Sequence, residues 1–187
     1  MGRRLSLIGK STLAAILAAI AYGLIHDQIT IRICPEYFTV WHPHIVDTEN
    51  LTLLALCWGV VATWWMGFLL GLPLGCAAAL GQKPLLPFRQ VLKCLGMILA
   101  ASGIGAILTG AIAAFSHFEA PIYVMGEQIA AMGADVRHRF TIDLLVHNAS
   151  YDIAPFATLI YIVWIVRRRT LIASWYEELP PHATCGG

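Results

Sequence analysis

Charge is what this sequence has least of. Its 187 residues hold twelve Lys and Arg and eleven Asp and Glu, so 12% are charged. An ordinary soluble domain carries about 25%. With 58% of the chain hydrophobic, a water-soluble globule is disfavoured. Local chemical signatures are missing too. There is no His-Glu-x-x-His, Cys-x-x-Cys or calcium-loop spacing, and no Gly-x-Ser-x-Gly elbow. Gly9-Lys10-Ser11-Thr12 ends like a phosphate loop, but Arg4 stands at its first glycine and no strand precedes it. The five cysteines are too scattered for a disulfide framework. Cys34 and Cys57 are the one pair placed to meet near one surface, the alternative being small buried thiols. Nothing suggests nucleic-acid binding.

What the sequence does have is four long apolar runs, and the sparse charge is sorted between their ends. Nine of the twelve Lys and Arg lie on one side: Arg3, Arg4, Lys10, Lys83, Arg89, Lys93, Arg167, Arg168 and Arg169. Nine of the eleven Asp and Glu lie on the other: Asp27, Glu36, Asp47, Glu49, Glu119, Glu127, Asp135, Asp143 and Asp152. Segments retained in the cytoplasm carry excess Lys and Arg. The pattern therefore predicts an all-α, multi-pass protein of the cell membrane with both termini cytoplasmic. One four-helix domain is expected over 1–169, with spans near 5–26, 51–75, 91–116 and 147–167 and a short cytoplasmic tail over 170–187. The first run also resembles a signal peptide with a small-residue site at Ala19-Ile20-Ala21; an uncleaved anchor is the favoured reading.

Small residues recur every four positions in two runs. Gly59, Thr63, Gly67, Gly71 and Gly75 mark the second, and Ser102, Ala106, Gly110 and Ala114 the third. Positions four apart share a helix face, and small-residue faces let backbones approach closely within a membrane. Pro73 is expected to end or kink the second helix.

Two segments on the acidic side are rich in polar groups. In the first, alternation over 28–33 and the β-formers Tyr37, Phe38 and Trp41 predict a small hairpin or lid between the first two helices. The aromatics are also suited to anchor at the membrane interface, and the two readings are compatible. In the second, 118–152, a loop and short helix give way to a helical pattern from Asp135. Its four-residue spacing predicts pairs between Arg139 and Asp143, Asp143 and His147, and Asn148 and Asp152.

The apolar core of the fourth run, 153–166, extends only about 21 Å as a helix, short of a hydrocarbon layer near 30 Å. Its polar N-terminal extension must then enter the outer leaflet, where unsatisfied groups cost about 2–7 kcal/mol each. His26, Asp27, Glu36, Asp143, His147 and Asp152 are accordingly expected to converge at one mouth of the bundle, with Arg139 and Asn148 nearby. Imidazole with carboxylate suits zinc, iron or manganese, through His26, Glu36, Asp143 and His147, and also suits acid–base chemistry. His42-Pro43-His44 reads as an exposed turn.

Several of these residues carry a resemblance. Tyr22-Gly23, His26-Asp27-Gln28-Ile29-Thr30, Arg32, Cys34, Glu36-Tyr37-Phe38-Thr39 and His42-Pro43 resemble a family of uncharacterised bacterial four-span integral membrane proteins. Trp58-Gly59, Ala62-Thr63-Trp64-Trp65, His147 and Tyr151 fit the same likeness, while Trp41 stands where it leads one to expect glycine. The resemblance implies the architecture and no activity. The expected roles are, in order, a membrane protein binding an ion, a small ligand or a partner, a membrane-embedded His/Asp enzyme on a lipid or envelope substrate, and a small transporter or channel subunit. Its expected partners are the lipid bilayer and a homo-oligomer or other membrane protein.

Overall fold

The computed structural model describes residues 1–178, and no strand occurs among them. The chain forms α1 (Gly2–Ile33), a π-helical turn (Tyr37–Trp41), α2 (Leu51–Val61), α3 (Trp64–Ala79), α4 (Phe88–Phe115), α5 (Ile122–Ala130) and α6 (Ala134–Glu178). Four stretches are long and apolar enough to cross a membrane: Gly2–Ile33, Leu51–Ala79, Phe88–Phe115 and Ala134–Tyr176. Many of their large apolar side chains point outward, among them Ile25, Ile107, Ile112 and Phe156, as a lipid-facing surface requires.

The expected hairpin is not formed. The segment 28–33 is the last part of α1, although its sequence alternates. Asp27, Thr30, Ile31 and Cys34 are all buried, and their spacing of three, four and seven is helical. Ile29 is 59% exposed, so its apolar character marks an outward face rather than a strand's inner one. Tyr37–Trp41 is wound by a bond from the His42 amide to the Tyr37 carbonyl at 3.2 Å. Tyr37 and Phe38 turn inward as a cap on the bundle.

The packing follows the glycine spacing. A methyl group on Gly67 would lie 2.6 Å from Ile16 Cα, and one on Gly59 would lie 2.8 Å from the Gly23 carbonyl carbon. α1 therefore lies backbone-close along α2 and α3. On the other side α4 packs along α6, where a methyl on Gly110 would meet Val146 Cγ2 at 2.9 Å. Ser102 and Ala106 of that stripe are buried, while Ala114 is exposed.

The second span is broken between α2 and α3 at Ala62 and Thr63. A helix break leaves carbonyls without partners, which is costly away from water. Here the Tyr151 hydroxyl of α6 donates to the Ala62 carbonyl at 2.9 Å. Pro73 does not end α3, which continues through it to Ala79. Pro155 likewise sits within α6.

α6 is one helix of 45 residues, about 68 Å long, and exceeds the expected fourth span at both ends. The first part of the expected tail, 170–178, is its last two turns. Residues 179–187, with Cys185, lie outside the described residues. The side chains of Arg4, Lys83 and Arg169 meet at one end of the bundle with the 80–87 loop, hereafter the basic end. The π-turn and α5 close the opposite, acidic end.

Candidate functional site

At the acidic end α1 presents His26 and Asp27, and α6 presents Asp143 and His147 one turn apart. Asp143 is 0% exposed, Asp27 4% and His147 8%. The His147 Nδ1 lies 2.8 Å from the Asp143 backbone carbonyl. A carbonyl only accepts, so Nδ1 carries a proton. That bond aims Nε2 at α1, 3.5 Å from Asp27 Oδ1. In the neutral ring this nitrogen is a lone pair facing a carboxylate. The contact is favourable when a proton or a cation lies between them.

The His26 ring stands perpendicular to that of His147, with centroids 4.7 Å apart. One ligand atom from each of His26, Asp27 and His147 can be chosen so that all lie within 4.8 Å of one another. The His26 Nε2 and both Asp143 carboxylate oxygens are buried with no hydrogen-bond partner among the described residues. Asp143 Oδ1 approaches His147 Nδ1 only to 4.0 Å.

Aromatic rings hold these imidazoles in place. Tyr37 stacks on His147 at 4.7 Å, and Tyr22 stacks on His26 at 5.3 Å. The Tyr22 hydroxyl is fixed by Ser150 Oγ at 2.7 Å. His42 is not an exposed turn. Its Nδ1 donates to the Tyr37 carbonyl at 2.8 Å, and its ring packs edge-on to Trp58. Burial holds the His42 imidazole below its ordinary value and pushes the Tyr37 hydroxyl above its own.

The expected cluster is thus assembled in part. His26, Asp27, Asp143 and His147 come together. Glu36 does not join them; it faces Arg139 at 3.7 Å and the Cys34 thiol. Arg139 does not pair with Asp143. It reaches back to Asp135 at 3.1 Å and to the Ile33 carbonyl at 3.2 Å, tying the start of α6 to the end of α1. Asn148 and Asp152 are exposed on another face of α6 and make no mutual pair among the described residues. Tyr37 was missed as a site residue, because its β-forming neighbours favoured a strand. Tyr22 was missed as well, and its place one helical turn before His26 was the signal that could have found it.

Below the cluster a cavity of about 80 Å³ runs between α1, α3, α4 and α6. His26, Asp27, His147 and Tyr151 line one part of it. Leu70, Leu95 and Ile98 line its apolar part, with Ser102 and Thr158 on the wall. By volume it has room for a few water molecules.

Cys34 and Cys57 are both free, so the conceivable bridge is absent. Burial is the largest influence on the Cys34 thiol, which is pushed up to about 12. Such a thiol is only about one part in 10⁵ ionised at pH 7. Cys34 should therefore resist maleimide in the folded protein and react on denaturation. Rapid labelling of Cys34 under native conditions would contradict its placement.

Comparison of the chain with protein-family models, with curated proteins and with solved structures gives no match in any of the three.

Proposed function

We propose that this is an integral membrane protein, with both termini in the cytoplasm, that binds a divalent transition-metal ion at the outer mouth of its bundle. The ligands are the imidazoles of His26 and His147 and the carboxylate of Asp27. Orientation rests on the Lys and Arg bias between the two ends of the spans. The observation that carries the metal reading is the meeting of three ligand atoms within 4.8 Å, two of them on buried side chains. His147 supports it further. A metal-bound histidine characteristically donates its other N–H to a carbonyl or carboxylate, and here Nδ1 does so to Asp143. Two imidazoles and a carboxylate suit zinc, iron or manganese. Three ligands leave a coordination position for water or a small ligand, next to the cavity. That feature favours, as the second reading, a membrane-embedded enzyme using the metal on a lipid or envelope substrate. A transporter ranks third, because the ionisable cluster gathers toward one end of the bundle rather than along it.

The test is metal content of the purified protein, followed by titration with zinc, manganese and ferrous iron. One ion per chain is expected, with His147→Gln and Asp27→Asn each weakening binding by at least about tenfold. If no ion binds, or both variants bind as the parent does, the cluster is a structural cap joining α1 to α6.

A further inference from the structure

The basic end of the bundle carries a second site, unrelated to the His/Asp cluster. Lys93 of α4 and Arg167 and Arg168 of α6 line one groove of about 570 Å³. None of the three makes an ion pair or side-chain hydrogen bond among the described residues. Arg169 beside them is consumed by three carbonyls and is not available to the groove.

The groove is built from two facing helix stripes. α4 supplies Lys93 and Met97, and α6 supplies Tyr161, Trp164 and Arg168. The helices run in opposite directions. Lys93 therefore lies level with Arg167 and Arg168 near the end of the bundle, and Met97 lies level with Tyr161 and Trp164 deeper in the span. Cations sit at one end of the groove and apolar and aromatic surface at the other. A membrane lipid has that polarity, with its phosphate at the interface and its chains below.

We propose that this groove binds an anionic phospholipid, with the phosphate held by Lys93, Arg167 and Arg168 and an acyl chain laid along Met97, Tyr161 and Trp164. The charge pattern selects the headgroup, because a zwitterionic lipid brings its own cation and gains less from three more. Basic pockets between membrane helices on the cytoplasmic side suit such headgroups, and aromatic residues are favoured at that depth. A free phosphate would use the cations but leave the apolar half unused.

The experiment uses the full chain in phosphatidylcholine nanodiscs containing a minor fraction of phosphatidylglycerol, with retained lipid counted by native mass spectrometry. Enrichment of phosphatidylglycerol over phosphatidylcholine is expected. It should fall about fivefold for each cation removed, as in Lys93→Gln and Arg168→Gln, and persist in the charge-retaining Arg168→Lys. Arg3→Gln, at the same end but outside the groove, should retain the enrichment. Inorganic phosphate at matched ionic strength should not displace the lipid. No enrichment in the parent protein, equal enrichment in the groove variants, or an equal loss in Arg3→Gln would overturn the proposal. So would displacement by phosphate alone.

Discussion

Replacing Gly67 and Gly71 together by leucine should abolish stable assembly of α1 with α3. Even a methyl group at Gly67 would sit 2.6 Å from Ile16 Cα and 2.7 Å from the Ala15 carbonyl oxygen. At Gly71 it would strike Ala15 Cβ and lie 3.1 Å from Thr12 Cα. These neighbours are mostly backbone and cannot swing aside. Overpacking in a tight interior costs about 1–3 kcal/mol per site, and a leucine at each of two sites should exceed about 3 kcal/mol in total. No hydrophobic gain offsets it, because leucine facing lipid is as well solvated as leucine between helices. Thermal unfolding in detergent is the measurement, with Gly96→Ala as control, since a methyl at Gly96 meets nothing within 4 Å. A double variant that unfolds with the parent would show that α1 does not run along this face.

That stripe shows which features of the sequence could be read. A face of small residues every four positions has one geometric consequence, and it is independent of where the chain goes next. The spans were legible for a similar reason, since apolar length alone decides them. The 28–33 segment was not. In water its alternation would mark a half-buried strand. In lipid an apolar residue such as Ile29 faces outward at no cost, so alternation ceases to report a buried side. The helical spacing of Asp27, Thr30, Ile31 and Cys34 was the better signal.

The site was legible to the extent that it obeys helix geometry. His26 and Asp27 end the first apolar run, and Asp143 and His147 share a face, so their meeting follows from the short fourth run. Asn148 lies about 100° around the helix from His147, and Asp152 is one turn beyond it, so both leave the cluster. Glu36 could not be placed from spacing. At the start of the π-turn it faces Arg139, while Asp27, which the expected metal set omitted, takes the place beside His147. What the bundle encloses there is a carboxylate, Asp143, with neither oxygen hydrogen-bonded among the described residues. Sequences tolerate such groups where they are used, and this supports reading the cluster as a working site rather than a cap.

The triplet Arg167-Arg168-Arg169 looked uniform, a marker for the end of a span, and the structure divides it. Arg167 and Arg168 are exposed, whereas Arg169 is 4% exposed and points into the bundle. Its Nη1 donates to the Ala77 carbonyl at 2.6 Å, Nε to Pro84 at 2.7 Å and Nη2 to Lys83 at 2.9 Å. A helix leaves its last four carbonyls without intrahelical partners. At the end of α3, Cys76 is bonded by the Leu80 amide, Ala78 by the Leu86 amide, Ala79 by Arg4 and Ala77 by Arg169. Arg169 thus completes the cap of α3 and pins the loop after it to α6. Arg169→Met keeps the apolar stem but removes every donor, leaving three carbonyls unsatisfied at about 1–3 kcal/mol each. A loss of at least about 3 kcal/mol is expected, read as a lowered unfolding midpoint in detergent. Arg169→Lys should not restore it, because one ammonium cannot span three acceptors set by a planar fork. The exposed neighbour gives the reference, since Arg168→Met should change stability by less than about 0.5 kcal/mol. If Arg169→Met and Arg168→Met unfold together, or if lysine rescues fully, charge alone matters at this end and the latch is wrongly assigned.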